Sequence, residues 1–358
     1  MAVTENTSAN RKIRYAIVGV GSFAQTYAMP AFEHTKNSEL VALVSNDPAK
    51  QQELGKQYDI QHTYSYEEYE NCLNSGEIDA VYIALPNHMH REYAIRAANA
   101  GIHVLCEKPM AVTVDECKSM IQAAQDNNIK LMIAYRLHLE EANLQAVETV
   151  QSGKIGEPRI FNSVFTQQTV EGNIRLEKDK GGGTLDDIGI YCINAARYLF
   201  QDEPIAVFAT SASNGEDRFS EVDEMTSVIL RFPGDRLAAF TSSFNGGKVA
   251  TYQVIGTKGD LRVDSAYGTE TITHTLTIDG EKQERSFGPH DQLAAEFIYF
   301  SDCILQDKEP EPSGQEGLID VQIIRALYRS IETGGFVELD ISKRQQRPTA
   351  EQTIAVLP

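Results

Sequence analysis

The sequence predicts an α/β half followed by an α+β half: a doubly wound parallel sheet, then a domain built on a large, mostly antiparallel open sheet. Three observations carry this. At 358 residues the chain exceeds one ordinary core, and about 150 residues per domain implies two domains. As far as Arg136, buried apolar strands alternate with helices, the pattern of a parallel sheet covered on both faces. From Pro158 onward strands follow one another with few helices between them.

The elements run in order. "IRYAIVGVGSFAQTYAMPAF" opens as a strand, breaks at glycines and starts a helix. "ELVALVSND" and "DAVYIALPN" are the second and third strands, the latter followed by the helical "HREYAIRAANAG". "HVLCEKP" is the fourth, followed by "VDECKSMIQAAQDNN", and "LMIAYR" is the fifth. After a helix at about 139–152 come "RIFNSVFTQQ", "IAVFATSA", "MTSVILRF", "LAAFTSSF", "ATYQVIGT", "GDLRVDS" and "TITHTLTID", several separated by glycine turns such as "FPGDR". A helix over 184–200 lies across these strands, and helices at about 291–305 and 314–333 close the chain.

Composition narrows the partners. A formal charge of −19 disfavours nucleic acid and anionic membranes. No apolar run reaches the ~18 residues of a membrane span, and the polar "MAVTENTSANRKIR" lacks the apolar core of a signal peptide, so a loose tail over 1–12 and a cytoplasmic location are expected. The five cysteines are scattered and never paired as C-x-x-C, which points to reduced, buried thiols. His88 and His90 have no acidic or cysteine partner at ligand spacing, so no metal is expected.

Gly19-Val20-Gly21-Ser22-Phe23-Ala24 is a G-x-G-x-x-A fingerprint between a strand and a helix, the phosphate-binding turn of a Rossmann domain. Gly19 permits the tight turn and Gly21 lets a pyrophosphate approach the backbone. Ala24 keeps the helix near the strand, and the helix start supplies donors. The second strand ends with Ser45 and Asn46, where an NAD site usually carries a carboxylate for the ribose 2′-hydroxyl. Either Ser45 accommodates a 2′-phosphate, with Lys50 adding a cation, or Asp47 takes the acidic role one turn later. NADP is the adopted reading.

"GGGTLDDIGIYCINAARYLF", residues 181–200, carries the second signal. At 100° per residue Leu185, Ile188, Cys192, Ala195 and Leu199 share one face, and Asp187, Tyr191, Asn194 and Tyr198 share another.

A Rossmann domain with "EKP" after the fourth strand, then "GGG-x-L-x-D-x-G", resembles the glucose–fructose oxidoreductase/inositol dehydrogenase (Gfo/Idh/MocA) family. "LPNHMH", "YRLH" and "DCILQDKEPEPSGQEGL" extend the resemblance over nearly the whole chain. It implies that Lys108 sits at the nicotinamide and contacts the substrate hydroxyl, and that the Lys108–Pro109 peptide is cis. Tyr191 stands where many members carry a histidine base. The "D-x-G-x-Y" pattern instead resembles the subgroup of glucose–fructose and aldose–aldose oxidoreductases, NADP-dependent xylose dehydrogenase and dihydrodiol dehydrogenase.

The implied activity is hydride transfer between NADP and a cyclic sugar, by aldose oxidation or by sugar-to-sugar transfer with retained cofactor. Dihydrodiol- or inositol-dehydrogenase-like activity and a non-catalytic NADP sensor are the alternatives. The implied catalytic set is Lys108, Tyr191 and Asp187. A free tyrosine has a pKa of about 10, and a nearby ammonium favours its phenolate. Leu85, Pro86, Asn87, His90 and Glu107 are further implied cofactor contacts, and Arg136, after the fifth strand, either meets cofactor or substrate or makes a surface ion pair. Asn173, Arg175 and Asn194 are candidates on the substrate side. Residues 13–136 would then bind NADP. Residues 137–358 would bind substrate and join subunits into a homodimer or homotetramer through the large sheet.

Overall fold

The computed structural model describes residues 11–358, so most of the expected tail lies outside the described residues. Strands β1 (Ile13–Val18), β2 (Ser38–Val44), β3 (His62–Tyr64), β4 (Ala80–Ile83), β5 (His103–Glu107) and β6 (Leu131–Ala134) form a parallel sheet in the order β3-β2-β1-β4-β5-β6. This is the doubly wound order whose ligands bind beyond the carboxyl ends of the strands. Five of the six strands are those expected. β3 is the addition: it has three residues and none is buried, so it left no apolar run to read.

The second sheet has nine strands: β7 (Pro158–Gln168), β8 (Ala206–Ala212), β9 (Met225–Phe232), β10 (Arg236–Ser243), β11 (Asn245–Gly256), β12 (Gly259–Asp264), β13 (Ile272–Ile278), β14 (Glu281–Phe287) and β15 (Val337–Glu338). Their order is β14-β13-β12-β11-β7-β10-β9-β8-β15, and only the β7–β10 pair is parallel. β14 escaped the pattern because it is an edge strand with every residue but Phe287 exposed. Its charges suit an unprotected edge.

The expected division at 136 does not separate two cores. A parallel sheet needs cover on both faces, and part of that cover comes from the end of the chain. The helix Gln292–Leu305 sets Leu293, Phe297 and Phe300 in one cluster with Tyr15, Tyr82 and Leu105 of the first sheet. Phe297 meets Tyr15 at 5.4 Å and Tyr82 at 5.2 Å between ring centroids. The strand end at β6 also receives the chain before the helix Gly314–Thr333, with Ile133 N donating to Pro312 O at 2.8 Å.

The expected helix over 184–200 begins as a π turn, Leu185–Gly189, and continues as an α-helix, Ile190–Phe200. Its apolar face is buried as expected. The polar face divides. Asp187 and Tyr191 stay half-buried beside Lys108, whereas Asn194 and Tyr198 are buried in the interior. The helix is buried nearly all round, so its polar groups need internal partners.

Arg197, on this helix, supplies much of the answer. It is fully buried and pairs with Glu203, Glu316 and Asp320, each at 2.6 Å. Removing one member of such a group strands the others in a medium that cannot solvate them. Arg197→Ala is expected to cost about 3–5 kcal/mol of stability, read by chemical denaturation. A loss below about 1 kcal/mol would show that these carboxylates have other means of support.

Candidate active site

The cofactor end is built at the carboxyl ends of β1, β2 and β4. Gly19 follows β1 with φ +97°, and a Cβ there would stand 2.7 Å from Ala84 O and 2.9 Å from Leu85 Cδ2. Gly21 is the opposite case: it is exposed, with no atom within 4 Å of an added Cβ. Helix starts at Ser22, itself exposed, with Phe23 half-buried and Ala24 packed in the core. An open, side-chain-free approach to a helix start fits the pyrophosphate of a dinucleotide.

Beyond β2, Ser45 is buried and its Oγ accepts from Asp47 N at 3.2 Å. Asn46 Oδ1 accepts from Tyr66 N at 2.8 Å. Asp47 caps the helix Pro48–Gln57 by accepting from Lys50 N, and its carboxylate lies 3.6 Å from Lys50 Nζ. Asp47 is therefore engaged locally, while Lys50 is exposed at the mouth of this end.

After β4, Leu85 is buried against Gly19, and Pro86 leads into a short 3-10 turn. Asn87 Nδ2 donates to Gly181 O at 2.8 Å, tying this loop to the glycine run. His90 is completely buried, with Nε2 2.9 Å from Leu85 O and Nδ1 3.0 Å from Pro109 O. Its ring braces the two loops that frame the site. The Lys108–Pro109 peptide is cis, as expected.

Lys108 leaves the end of β5 and meets the helix after the glycines. Its Nζ donates to Asp187 O at 2.7 Å, lies 3.4 Å from Asp187 Oδ1, and sits 4.8 Å from the centroid of the Tyr191 ring. Burial works against the ammonium, but Tyr191, Asp187 and Glu107 around it prevail and hold its pKa above the ordinary lysine value. Burial likewise opposes the Asp187 charge, and Lys108 and Arg175 outweigh it, so that carboxyl is held below the usual range. Arg175 Nε reaches Asp187 Oδ2 at 2.7 Å, and Asn173 Oδ1 accepts from Arg175 N. Glu107 accepts from Tyr82 OH, and burial pushes its carboxyl up.

The glycine run is a junction. An added Cβ would lie 2.8 Å from Asn87 Cβ at Gly181, 2.4 Å from Arg175 O at Gly182, and 2.4 Å from Tyr328 OH at Gly183. The cofactor loop, the Arg175 loop and the helix Gly314–Thr333 therefore converge where no side chain fits.

Arg136 makes no surface ion pair. Its guanidinium bonds Gln292 and donates to Tyr267 O at 2.6 Å, with its carbon 5.2 Å from the Tyr191 centroid. Asn194 has its amide fully engaged by His138, Glu316 and Asp320, although it still lines a small cavity of about 10 Å³ with Lys108, His138 and Tyr191. All five cysteines are buried and free.

Sequence reasoning overlooked the wall opposite the helix. Ser163, Phe165 and Gln167 stand two apart on β7 and meet Cys192, Tyr191 and Asp187 respectively. That period-two spacing was available in "FNSVFTQQ". Tyr267, 5.9 Å from the Tyr191 ring, comes from an irregular loop and carries no such signal.

Together the sheet order, the glycine cradle and a lysine set between a carboxylate and a phenol define a dinucleotide-dependent oxidoreductase. Residues 13–135 match the oxidoreductase family with an NAD-binding Rossmann fold, and residues 143–262 match the GFO/IDH/MocA C-terminal domain. The chain belongs to the Gfo/Idh/MocA oxidoreductase family. It is 35% identical over 344 residues to D-xylose 1-dehydrogenase [NADP(+)] of Haloarcula marismortui, covering 94% of this chain and 96% of that one. A second D-xylose 1-dehydrogenase (NADP(+)), from Haloferax volcanii, is 30% identical, with 91% and 99% covered. The crystal structure of aldose-aldose oxidoreductase from Caulobacter crescentus, complexed with glycerol, superposes with a TM-score of 0.88 at 38% identity, covering 92% of this chain and 100% of that one.

The two fingerprint glycines are expected to fail differently. Gly19→Ala places a side chain at φ +97° against Ala84 and should lower stability by about 1–3 kcal/mol even without cofactor, seen in thermal melting. Gly21→Ala should leave the melting temperature unchanged and weaken NADP binding by roughly tenfold or more, about 1.4 kcal/mol. Equal melting temperatures for the two variants would contradict this.

Proposed function

We propose that this chain is an NADP-dependent oxidoreductase that transfers a hydride between the nicotinamide and a cyclic sugar, with Tyr191 and Lys108 handling the proton. The observation that carries the reading is the placement of Lys108 Nζ between Asp187 and the face of Tyr191 at the carboxyl end of β5. The relatives named for NADP-dependent xylose oxidation and aldose–aldose transfer support NADP and a sugar.

When bound, NADP supplies the hydride acceptor or donor. Gly19, Gly21 and Ser22 would hold its pyrophosphate, and Ser45, Asn46 and Lys50 its 2′-phosphate. For oxidation of a sugar hydroxyl, Tyr191 as phenolate takes the hydroxyl proton while the hydride leaves the same carbon. The Lys108 ammonium donates to the sugar oxygen, holds it in place, and polarises the carbonyl in the reverse direction. Asp187 fixes the lysine, and with Arg175 beside it offers both an acceptor and donors for further hydroxyls.

Whether NADP leaves after each turnover separates a dehydrogenase from a sugar-to-sugar transferase. Nicotinamide absorbance that survives purification and changes on adding an aldose identifies the latter. A cytoplasmic location fits the five free, buried thiols.

We assign the open face of the large sheet to contact with a second copy. Ile160 and Val164 of β7, Ile229 of β9 and Leu237 of β10 are 38–48% exposed and lie close together on that face. Such a patch seldom stays bare. Light scattering should report a dimer or tetramer, and Ile160→Lys with Ile229→Lys should give smaller particles.

Tyr191→Phe removes one oxygen and should cut turnover by roughly 10²–10⁴-fold with NADP affinity nearly unchanged. Lys108→Met should also cripple turnover, and the double variant should lose less than the product of the two. Wild-type turnover by Tyr191→Phe would exclude it as the acid/base. Ser45→Asp should reverse the cofactor preference by setting a charge beside the 2′-phosphate, read by titrating NADP and NAD; tighter NAD binding by the wild type would overturn the assignment of Ser45.

A further inference from the structure

His138 lines the cavity that Lys108 and Tyr191 share, fully buried and outside the mechanism given above. Its surroundings determine its charge. Asn194 turns Nδ2 to two carboxylates, Glu316 Oε1 at 2.8 Å and Asp320 Oδ2 at 3.1 Å, so its Oδ1 faces His138 Nε2 at 2.7 Å. An amide oxygen only accepts, so Nε2 carries a proton.

On the other side of the ring, Nδ1 lies 2.7 Å from Glu311 Oε2. Gln352 Nε2 donates to the His138 backbone oxygen at 2.8 Å and reaches Glu311 Oε2 at 3.3 Å. Because that backbone oxygen only accepts, the amide nitrogen is fixed there, and Oε2 accepts from it. Oε2 thus accepts from Gln352, and the Arg344 guanidinium lies 3.5 Å from Glu311 Oε1, so the proton between Glu311 and the ring is assigned to Nδ1.

We propose that His138 is a permanent imidazolium and a positioning residue for the hydride-transfer chemistry: it sets the Asn194 amide on the Tyr191 helix and places a positive charge on the cavity that the phenol lines. The inference rests on Tyr191 as the acid/base of the preceding section. The ring lines the cavity and Glu311 does not, so it is the imidazolium of the pair that the site meets.

The other charged groups around His138 come from four further elements. Glu316 and Asp320 belong to the helix Gly314–Thr333 and Arg197 to the helix Ile190–Phe200. Arg344, on the terminal segment, pairs with Glu311 and Glu316, and Lys108 lines the same cavity as His138. The rings of Tyr135 and Tyr198 pack on it at 5.4 and 5.7 Å. Burial opposes the imidazolium, but Glu311 and Glu316 outweigh it and raise the His138 pKa. Glu316 itself is held well below the usual carboxylate range, since Arg197, Arg344 and His138 overcome its burial.

Two measurements test this. Neutron diffraction on wild-type holoenzyme crystals near pD 8 should show deuterium on both ring nitrogens of His138; a single deuterium overturns the imidazolium. His138→Gln keeps a donor for Asn194 and removes the charge. In this variant the acid limb of the kcat/KM profile for sugar oxidation should move up by about one pH unit, with the Kd for NADP unchanged. A limb that superposes on the wild type, even with slower turnover, would reduce His138 to a structural role and overturn the proposal. If the variant does not fold, the neutron result alone decides. Tyr191→Phe run alongside separates the two ideas: wild-type turnover there removes the acid/base assignment, whereas the proton count on His138 stands independently of it.

Discussion

The contact of Lys108 with Asp187 and Tyr191 is the constraint on which the rest of this architecture depends. Lys108 and Asp187 are 79 residues apart in the chain, one following β5 of the parallel sheet and the other on the helix after the glycines. The cofactor cradle at the carboxyl ends of the parallel sheet brings Lys108 but not the phenol. The helix after the glycines has no cofactor. Only a fixed relation between the two puts an ammonium against a phenol, and hydride transfer loses rate steeply as reacting groups are displaced.

Several features keep that relation fixed. The glycine run lets three elements approach more closely than any side chain would permit, and Asn87 bonds across it to Gly181. The helix Gln292–Leu305 covers the first sheet and the helix Gly314–Thr333 packs between β8 of the large sheet and the first domain, so the two sheets cannot drift independently. Behind the site helix, Arg197, Glu316, Asp320, Asn194 and His138 form a buried polar network in which nearly every donor meets an acceptor. Such a network has few alternative arrangements, which favours one position for Tyr191. Burial pushes Asp320 up to about 6, and the nearby Arg197 limits that rise.

Charge is distributed to match. The chain is strongly acidic overall, yet Lys108, Arg136 and Arg175 gather around Asp187 and Tyr191. The acidic surface limits adventitious anion binding, and the local cations meet the anionic forms that the chemistry creates.

The sequence by itself determined the elements and the reactive residue types. The strand–glycine–helix opening, the alternation as far as Arg136 and the glycine run were legible because each is written in local spacing, whereas the meeting of Lys108 with the Asp187–Tyr191 helix was implied only by the family resemblance. Tertiary structure decided the rest, since it depends on partners distant in sequence. β3 and β14 lack a buried pattern of their own and exist because a neighbouring strand offers an edge. The polar stripe divides after Tyr191 because Glu316 and Asp320, more than 100 residues later, draw Asn194 inward. Arg136 turns inward for backbone oxygens of an irregular loop, and His138 takes its protons from the orientation of two amides. Periodicity reports which face of an element is apolar, whereas only the assembled fold supplies the partner that each buried polar group must have.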